Sequence, residues 1–471
     1  MILPAFHNTL LISSIFPYQT EKYLITSPRT ERHRFLNGLA LLLNGSKSCT
    51  SVYPWLTKKQ LLIARNEPLT RDDEIYFNDF FRFIRIYSSY CSASNEEGMT
   101  EIYSVLKSIV LQYNKDKCIE RILDPMFNDA VSNLEKLLNS DIDEICQNVT
   151  IGQASKSKSM IDYINLREEN ISLKEYISIL FNWVKRIVSI RESMKNDKYN
   201  INLNTIENFQ ECCELLIYSK IFRSIVSYIY SVVHVHERIL YYLNKVSEHL
   251  RSLDLILKTL ERRRFDYGEI YENIQWYFIE PIENIVKLNE APSSSFDKIW
   301  LTCDLPDAQT KIDFKREYIG NKFVHYDSKL ELSICLHSEI RIIDYLIEQN
   351  IYEVRDGDIE IGIAKLPCYP CSLYIEQLNQ KFNRNFYVVD LKTHGKIYAN
   401  WTFRNGEDDF IENELNDKLY RLIRKELIQF ERTNRKKSQH SDKQETDVAD
   451  NNVDMKFIKL IVDNVIKRQK N

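Results

Sequence analysis

Two short segments constrain this chain more than any other part of it. One reads Cys335-Leu336-His337-Ser338-Glu339-Ile340-Arg341 and the other Pro367-Cys368-Tyr369-Pro370-Cys371, with 27 residues between Glu339 and Pro367. A histidine, two cysteines at i, i+3 and a carboxylate are costly to place near one another in a protein interior. A fold that brings them together does so for a reason. The spacing predicts a helix over Leu330 to Gln349 carrying His337 and Glu339. It predicts a strand on Ile359, Ile361 and Ile363 after the Asp356-Gly357-Asp358 turn, then a helix from Cys368 to Phe382 and a strand from Phe386 to Leu391.

His337, Cys368 and Cys371 are the borderline and soft donor types that zinc takes, and three protein ligands leave a fourth position for water. Cys368 and Cys371 share one face of a helix start, where unpaired N–H groups and the dipole favour thiolates. Pro367 and Pro370 suit that start, because a missing N–H costs little there. Glu339, two residues past His337, is placed to move protons without binding the metal. A purely structural zinc site normally has four protein ligands, and Cys335 is the candidate fourth. His234-Val235-His236-Glu237 has metal-binding residue types, but His236 belongs to an apolar stripe and His234 points away, so a structural role is favoured there.

At these residues the chain resembles the cytidine deaminase-like superfamily, and most of all the OTT-type deaminase-like proteins of fungi. The shared text is the His-Ser-Glu-Ile-Arg segment, Gly362 to Cys371, and His394-Gly395-Lys396-Ile397-Tyr398 with Trp401. The resemblance runs over 321–432. It implies a three-layer α/β/α sandwich around a mixed sheet, Zn2+ held by His337, Cys368 and Cys371, and Glu339 as proton shuttle. Ser338 stands where alanine is commoner. Zinc-bound hydroxide would attack the amino-bearing ring carbon of cytosine or adenine, and ammonia would leave. His394 and Trp401 are candidates to line the substrate pocket, with Ser338 beside them.

The resemblance also implies a helix and β-hairpin ahead of the His-x-Glu segment, ending near a substrate-binding asparagine. Residues 30–66 have that layout. Thr30 can cap a helix to Leu43, strands fit Cys49 to Trp55 and Leu61 to Asn66, and Asn66 is the candidate. The expected organisation is therefore an N-terminal extension (1–29), a first part of the deaminase domain (30–66), a mostly helical insertion (67–320) and a zinc-binding core (321–432). A disordered linker with a short terminal helix over Met455 to Arg468 would close the chain (433–471). The alternative is an independent N-terminal helical domain. No proline lies between Pro125 and Pro281, and the stripe Ile225, Ile229, Val232, His236, Ile239, Leu243, Val246, Leu250, Leu253 and Leu257 reads as one heptad-like seam. It fits an antiparallel bundle, or self-association through the helical region.

Composition sets the background. A net charge of −4 over 471 residues does not mark a nucleic-acid binder as a whole. Arg262-Arg263-Arg264 and Arg435-Lys436-Lys437 are basic clusters diluted by acidic neighbours. Ten scattered cysteines fit reduced thiols in the cytoplasm or nucleus. Met1 to Phe16 lacks the basic start of a signal peptide, and Ile221 to Leu243 is interrupted by charges, so no membrane partner is expected. The expected substrate is a nucleobase in DNA or RNA. The alternatives are a deaminase of free nucleosides or nucleotides, and a catalytically idle, zinc-stabilised fold used for binding.

Overall fold

The computed structural model describes residues 4–16, 30–46, 49–149, 159–198, 200–230, 233–262, 275–303, 308–319, 327–352, 358–388 and 393–441. The chain is a mixed α/β protein, mostly helical, with small sheets. It divides into two compact units. One holds 18–286 and 333–412, the other 3–17, 287–332 and 413–471.

The first unit contains the sheet that carries the sequence motifs. Strands β1 (Thr50–Trp55) and β2 (Gln60–Arg65) form the expected hairpin, with Thr50 opposite Arg65. On its outer side β2 pairs in parallel with β3 (Gln275–Ile279). The strands β4 (Glu283–Lys287) and β5 (Glu331–Cys335) form a separate pair. β6 (Asp358–Glu360) and β7 (Gly362–Ile363) follow, separated by Ile361 alone, and β7 pairs antiparallel with β1 while β6 pairs in parallel with β8 (Asn385–Tyr387). Ile361 closes the gap, since its N–H donates to the Tyr387 carbonyl at 2.8 Å. Ile361 thus joins two pairings that remain separate sheets, β3-β2-β1-β7 and β6-β8.

The two faces of the hairpin carry different layers. Val52, Leu61 and Ile63 point into a core with Phe35, Leu36 and Leu39 of the helix Glu31–Leu42. By alternation Ser51 faces the other way, and there its hydroxyl meets Ser338 at 2.8 Å. The helix Ser338–Glu348 packs on β1 and β2 from that side. Strands covered on both faces read as continuous apolar runs, which is why β2 is Leu-Leu-Ile-Ala. Thr30 caps the Glu31–Leu42 helix as expected: its oxygen accepts from the His33 N–H at 3.0 Å, while its hydroxyl donates to Glu360 at 2.6 Å.

The remaining helices of this unit build a second core around Leu180, Val184, Phe209 and Leu216. Leu173, Ile177, Leu180, Val184 and Ile187, spaced by four and three, lie on one helix, Leu173–Asn196. The longer seam does not. It is cut into Lys220–Ile229, Val233–Val246 and Glu248–Glu261, because Tyr230 leaves helical geometry (φ −106°, ψ 84°). Ile239, Leu243 and Leu250 enter one core, while Leu253 and Leu257 enter the other, so these residues of the stripe pack inside the chain. In the second unit Phe296 and Phe314 stack 5.2 Å apart in a core with Ile12, Trp300, Ile423 and Leu427.

The last helix runs Asp409–Ser441, so 433–441 is helical where the sequence suggested a disordered linker. The turn at Asp356-Gly357, Arg263-Arg264, and the helix expected over Met455 to Arg468 lie outside the described residues. Among the described residues no helix is long and apolar enough to cross a membrane.

Gly362 sets the distance between the sheet and the helix on it. A Cβ there would lie 2.4 Å from the backbone carbon and oxygen of Leu36. Gly362→Ala is expected to lower stability by about 1–3 kcal/mol, since neither backbone can yield. Urea unfolding followed by circular dichroism measures it; an unchanged midpoint would show that the contact does not hold the layers.

Candidate metal centre

His337 reaches the site from a strand, not from within a helix. The expected helix start at Leu330 is replaced by β5, whose Leu332-Ser333-Ile334-Cys335 alternation suits a strand. Cys335 is fixed by backbone pairing with the 400–401 segment, its N–H donating to the Asn400 carbonyl at 2.8 Å. Two residues later His337 occupies the N-cap of Ser338–Glu348 with extended backbone (φ −65°, ψ 153°), and Glu339 lies in the first turn. Cys368 is likewise the N-cap of Tyr369–Phe382, with Pro370 in the first turn. Its sulfur accepts from the Cys371 N–H at 3.5 Å. Both donor segments are therefore helix N-termini, where partial positive charge stabilises anionic ligands.

The three side chains converge. His337 Nδ1 lies 3.5 Å from Cys368 Sγ and 3.4 Å from Cys371 Sγ. All three donor atoms fall within 4.8 Å of one another, and all three residues are buried. Metal–ligand lengths of about 2.0–2.1 Å to nitrogen and 2.3 Å to sulfur give a tetrahedral N···S edge of roughly 3.5–3.6 Å. The observed edges match it, so these residues can hold a metal ion. Among the described residues this is the one such cluster of three donors. Cys335 is not in it: its sulfur takes a 3.7 Å contact from the Asn400 amide instead. The fourth-ligand reading of Cys335 falls with that.

The three donors shift one another's protonation. Burial pushes the Cys368 thiol up, but hydrogen bonding from Cys371 and the neighbouring His337 outweigh it and bring it to about 6. Burial drives Cys371 well above the usual thiol range, helped by Cys368 and Glu339. Burial lowers His337, yet the Cys368 thiolate more than compensates and the net direction is up. Anionic donors this close in a dry site repel one another, and a divalent cation removes the conflict.

Surrounding residues fix the donors. Trp401, expected as a pocket residue, is fully buried with its ring packed on Tyr374 and Phe403. No face is left for a base. Its indole N–H donates to Cys371 Sγ at 3.1 Å, so Trp401 supports a ligand. Ser338 is also enclosed; its hydroxyl lies 3.3 Å from Glu339 Oε2, and its N–H donates to Asn66 Oδ1 at 2.9 Å. Asn66 is half-buried at the end of β2 and fastens the helix start that carries Glu339. His394 is half-buried near Glu339 and His337. Burial depresses it to about 4, and its Nδ1 accepts from the Lys396 N–H at 3.0 Å. It is thus a neutral ring with its proton on Nε2.

Sequence reasoning missed three contributors. Tyr398, 40% exposed, stands edge-on to both His337 and His394 with centroids 5.7 and 5.8 Å away. Its place in the segment shared with the family was the available signal. Cys49, one residue before β1, lies near Ser338 and Glu339, and burial pushes its thiol up to about 12. Arg341 is buried on the metal helix and donates to the carbonyls of Arg65 and Leu336, and to that of Ile279 at 3.4 Å. Its place in the shared His-Ser-Glu-Ile-Arg segment was the signal available for it.

Residues 336–405 match the family model described as OTT_1508-like deaminase, the family that the motifs resemble. No curated protein and no solved structure matches the chain.

Trp401→Phe removes the N–H donor and keeps most of the ring volume. It is expected to weaken metal affinity about 10–100-fold with the fold retained, whereas Cys371→Ala should abolish stoichiometric metal. Competition against a chromophoric chelator measures both; equal affinity in Trp401→Phe would remove the indole from the centre.

Proposed function

We propose that the chain is a zinc-dependent hydrolytic deaminase of a cytosine- or adenine-type nucleobase, and that its substrate is nucleic acid. The observation that carries this reading is the buried carboxylate of Glu339 beside a three-donor cluster that does not include it. A structural metal site has no use for such a carboxylate. His337, Cys368 and Cys371 would hold the metal, and the two-thiolate, one-imidazole set suits zinc. Zinc, when bound, supplies a Lewis acid that makes a water nucleophilic near neutral pH.

The protein's own groups carry the proton traffic. In the overall reaction a water oxygen replaces the amino nitrogen on the ring carbon, and ammonia leaves. Glu339 takes a proton from the attacking water, gives it to the ring nitrogen, and passes the next one to the leaving amine. Ser338 and Asn66 hold the helix turn on which Glu339 sits. Tyr398 offers an exposed aromatic ring at the mouth, and His394 a neutral Nε2–H donor for an acceptor on the base.

The three-layer α/β/α core belongs to the same proposal. It is supported by the Glu31–Leu42 helix on one face of β1 and β2 and Ser338–Glu348 on the other, with Ile361 linking that sheet to the β6–β8 pair. On this reading 30–66 and 321–432 build one catalytic domain, and 67–320 is inserted between them.

Glu339→Gln keeps size and hydrogen bonding but cannot accept the proton. Zinc-loaded protein is expected to release ammonia from at least one member of a panel of single-stranded DNA, single-stranded RNA, cytidine and adenosine. The variant should lose about 10²–10⁴-fold in rate at unchanged zinc content. Zinc-replete wild type inert on the whole panel, or an active Glu339→Gln, would overturn the proposal.

A further inference from the structure

The hairpin delivers one more side chain to the turn that carries Glu339. Ser51 stands on β1, a strand paired on both edges, opposite Ala64 of β2 and Ile363 of β7. Ladders on both sides leave its backbone little freedom. Its side chain is fully buried, and so is that of Ser338. A buried hydroxyl without a partner is costly, and these two meet each other at 2.8 Å. Asn66, the residue after β2, accepts from the Ser338 N–H at 2.9 Å. The hairpin therefore grips one residue twice, by its backbone through Asn66 and by its side chain through Ser51.

Proton counting gives the side-chain contact a direction. A serine hydroxyl has one proton to donate and two lone pairs. Ser338 spends its proton on Glu339 Oε2 at 3.3 Å, so toward Ser51 it can only accept. The chain runs from the Ser51 hydroxyl to the Ser338 hydroxyl and on to the carboxylate, and each donation polarises the next. Cys49 lies within reach of Ser338, but burial pushes its thiol up to about 12. It keeps its own proton and is only a weak acceptor for that of Ser338. Neither serine belongs to the donor cluster, so the chain takes nothing from the metal ligands.

We infer that Ser51 and Ser338 are positioning residues for Glu339: their hydroxyl chain holds Oε2 and leaves the other carboxylate oxygen to exchange protons with water and base. The terminal torsion of a glutamate is broad and two-fold, so without a tether its two oxygens trade places. A general base works only with a lone pair in hydrogen-bond reach of the proton it takes. Tethering one oxygen fixes where the other points. The inference rests on the deaminase reading for the task of Glu339. It adds Ser51, which is fully buried and acts through Ser338.

The test uses the full zinc-loaded chain with Ser51→Ala, Ser338→Ala and the double variant. The infrared carboxylate stretch of Glu339, isolated as the difference between wild type and Glu339→Gln, reads the tether without turnover. It is expected to shift in Ser338→Ala, and to shift less in Ser51→Ala. Turnover is followed with whichever member of the substrate panel reacts. The single-turnover rate should fall about 10-fold in Ser338→Ala and about 3-fold in Ser51→Ala, at unchanged KM and zinc content. Because Ser51 acts through Ser338, the double variant should be no slower than Ser338→Ala. The inference is overturned if Ser338→Ala leaves the band in place or reacts at the wild-type rate. It is also overturned if either variant loses zinc, or if Ser51→Ala costs as much again in the Ser338→Ala background. The two readings fail separately. A band that moves in a protein turning over no substrate removes the deaminase reading and leaves the tether; normal turnover with an unmoved band removes the tether and leaves the enzyme.

Discussion

Two helix N-termini aimed at one dry point are the constraint on which the rest of the first unit depends. The dipoles favour the anionic donors, but they do not hold the helices in place; N-terminal N–H groups must still find acceptors. The chain meets that need locally. Asn66 accepts from the Ser338 N–H on one helix, and the Cys368 sulfur accepts from the Cys371 N–H on the other. Each N-terminus is thereby capped by a residue that also belongs to the site, so capping and site geometry cannot vary separately.

The sequence was most legible where donor types recur at fixed spacing. His337, Cys368 and Cys371 were found because few other arrangements explain a histidine, a proline-flanked cysteine pair and a nearby carboxylate together. The hairpin over 50–65 was legible because its apolar runs are short and a polar turn separates them. The helix expected from Leu330 begins only at Ser338, because the short alternation of Leu332 and Ile334 with Glu331 and Ser333 runs straight into the helical pattern that follows it. What decided it was the partner backbone at 400–401, remote in sequence. The seam from Ile225 to Leu257 failed for a related reason: a stripe records which residues are buried, and three successive helices bury it as well as one.

Trp401 and Ser338 show a different limit. Both are residue types that contact bases in other settings, and both lie beside the metal donors. The fold turns them inward, where one gives an N–H to a ligand sulfur and the other positions the carboxylate. A short motif identifies the neighbourhood of a site, whereas the side of the backbone on which each residue falls is set by strand register. Cys49 makes the converse point. It belongs to no recognisable motif, yet strand register carries it toward Glu339.

Arg65 links this centre to the helices that follow the hairpin. Its carbonyl accepts from Arg341 on the metal helix, while its guanidinium pairs with Asp73 at 2.8 Å. Asp73 closes the capping box on Thr70 at the first helix after the hairpin and also accepts from Tyr113. A buried ion pair of this kind adds little net stability, because desolvation offsets most of the attraction. Its directional bonds nevertheless leave few alternative positions for the end of β2. Asn66 is the next residue, and through Ser338 it bears on Glu339. The helical region therefore takes part in setting where the carboxylate stands.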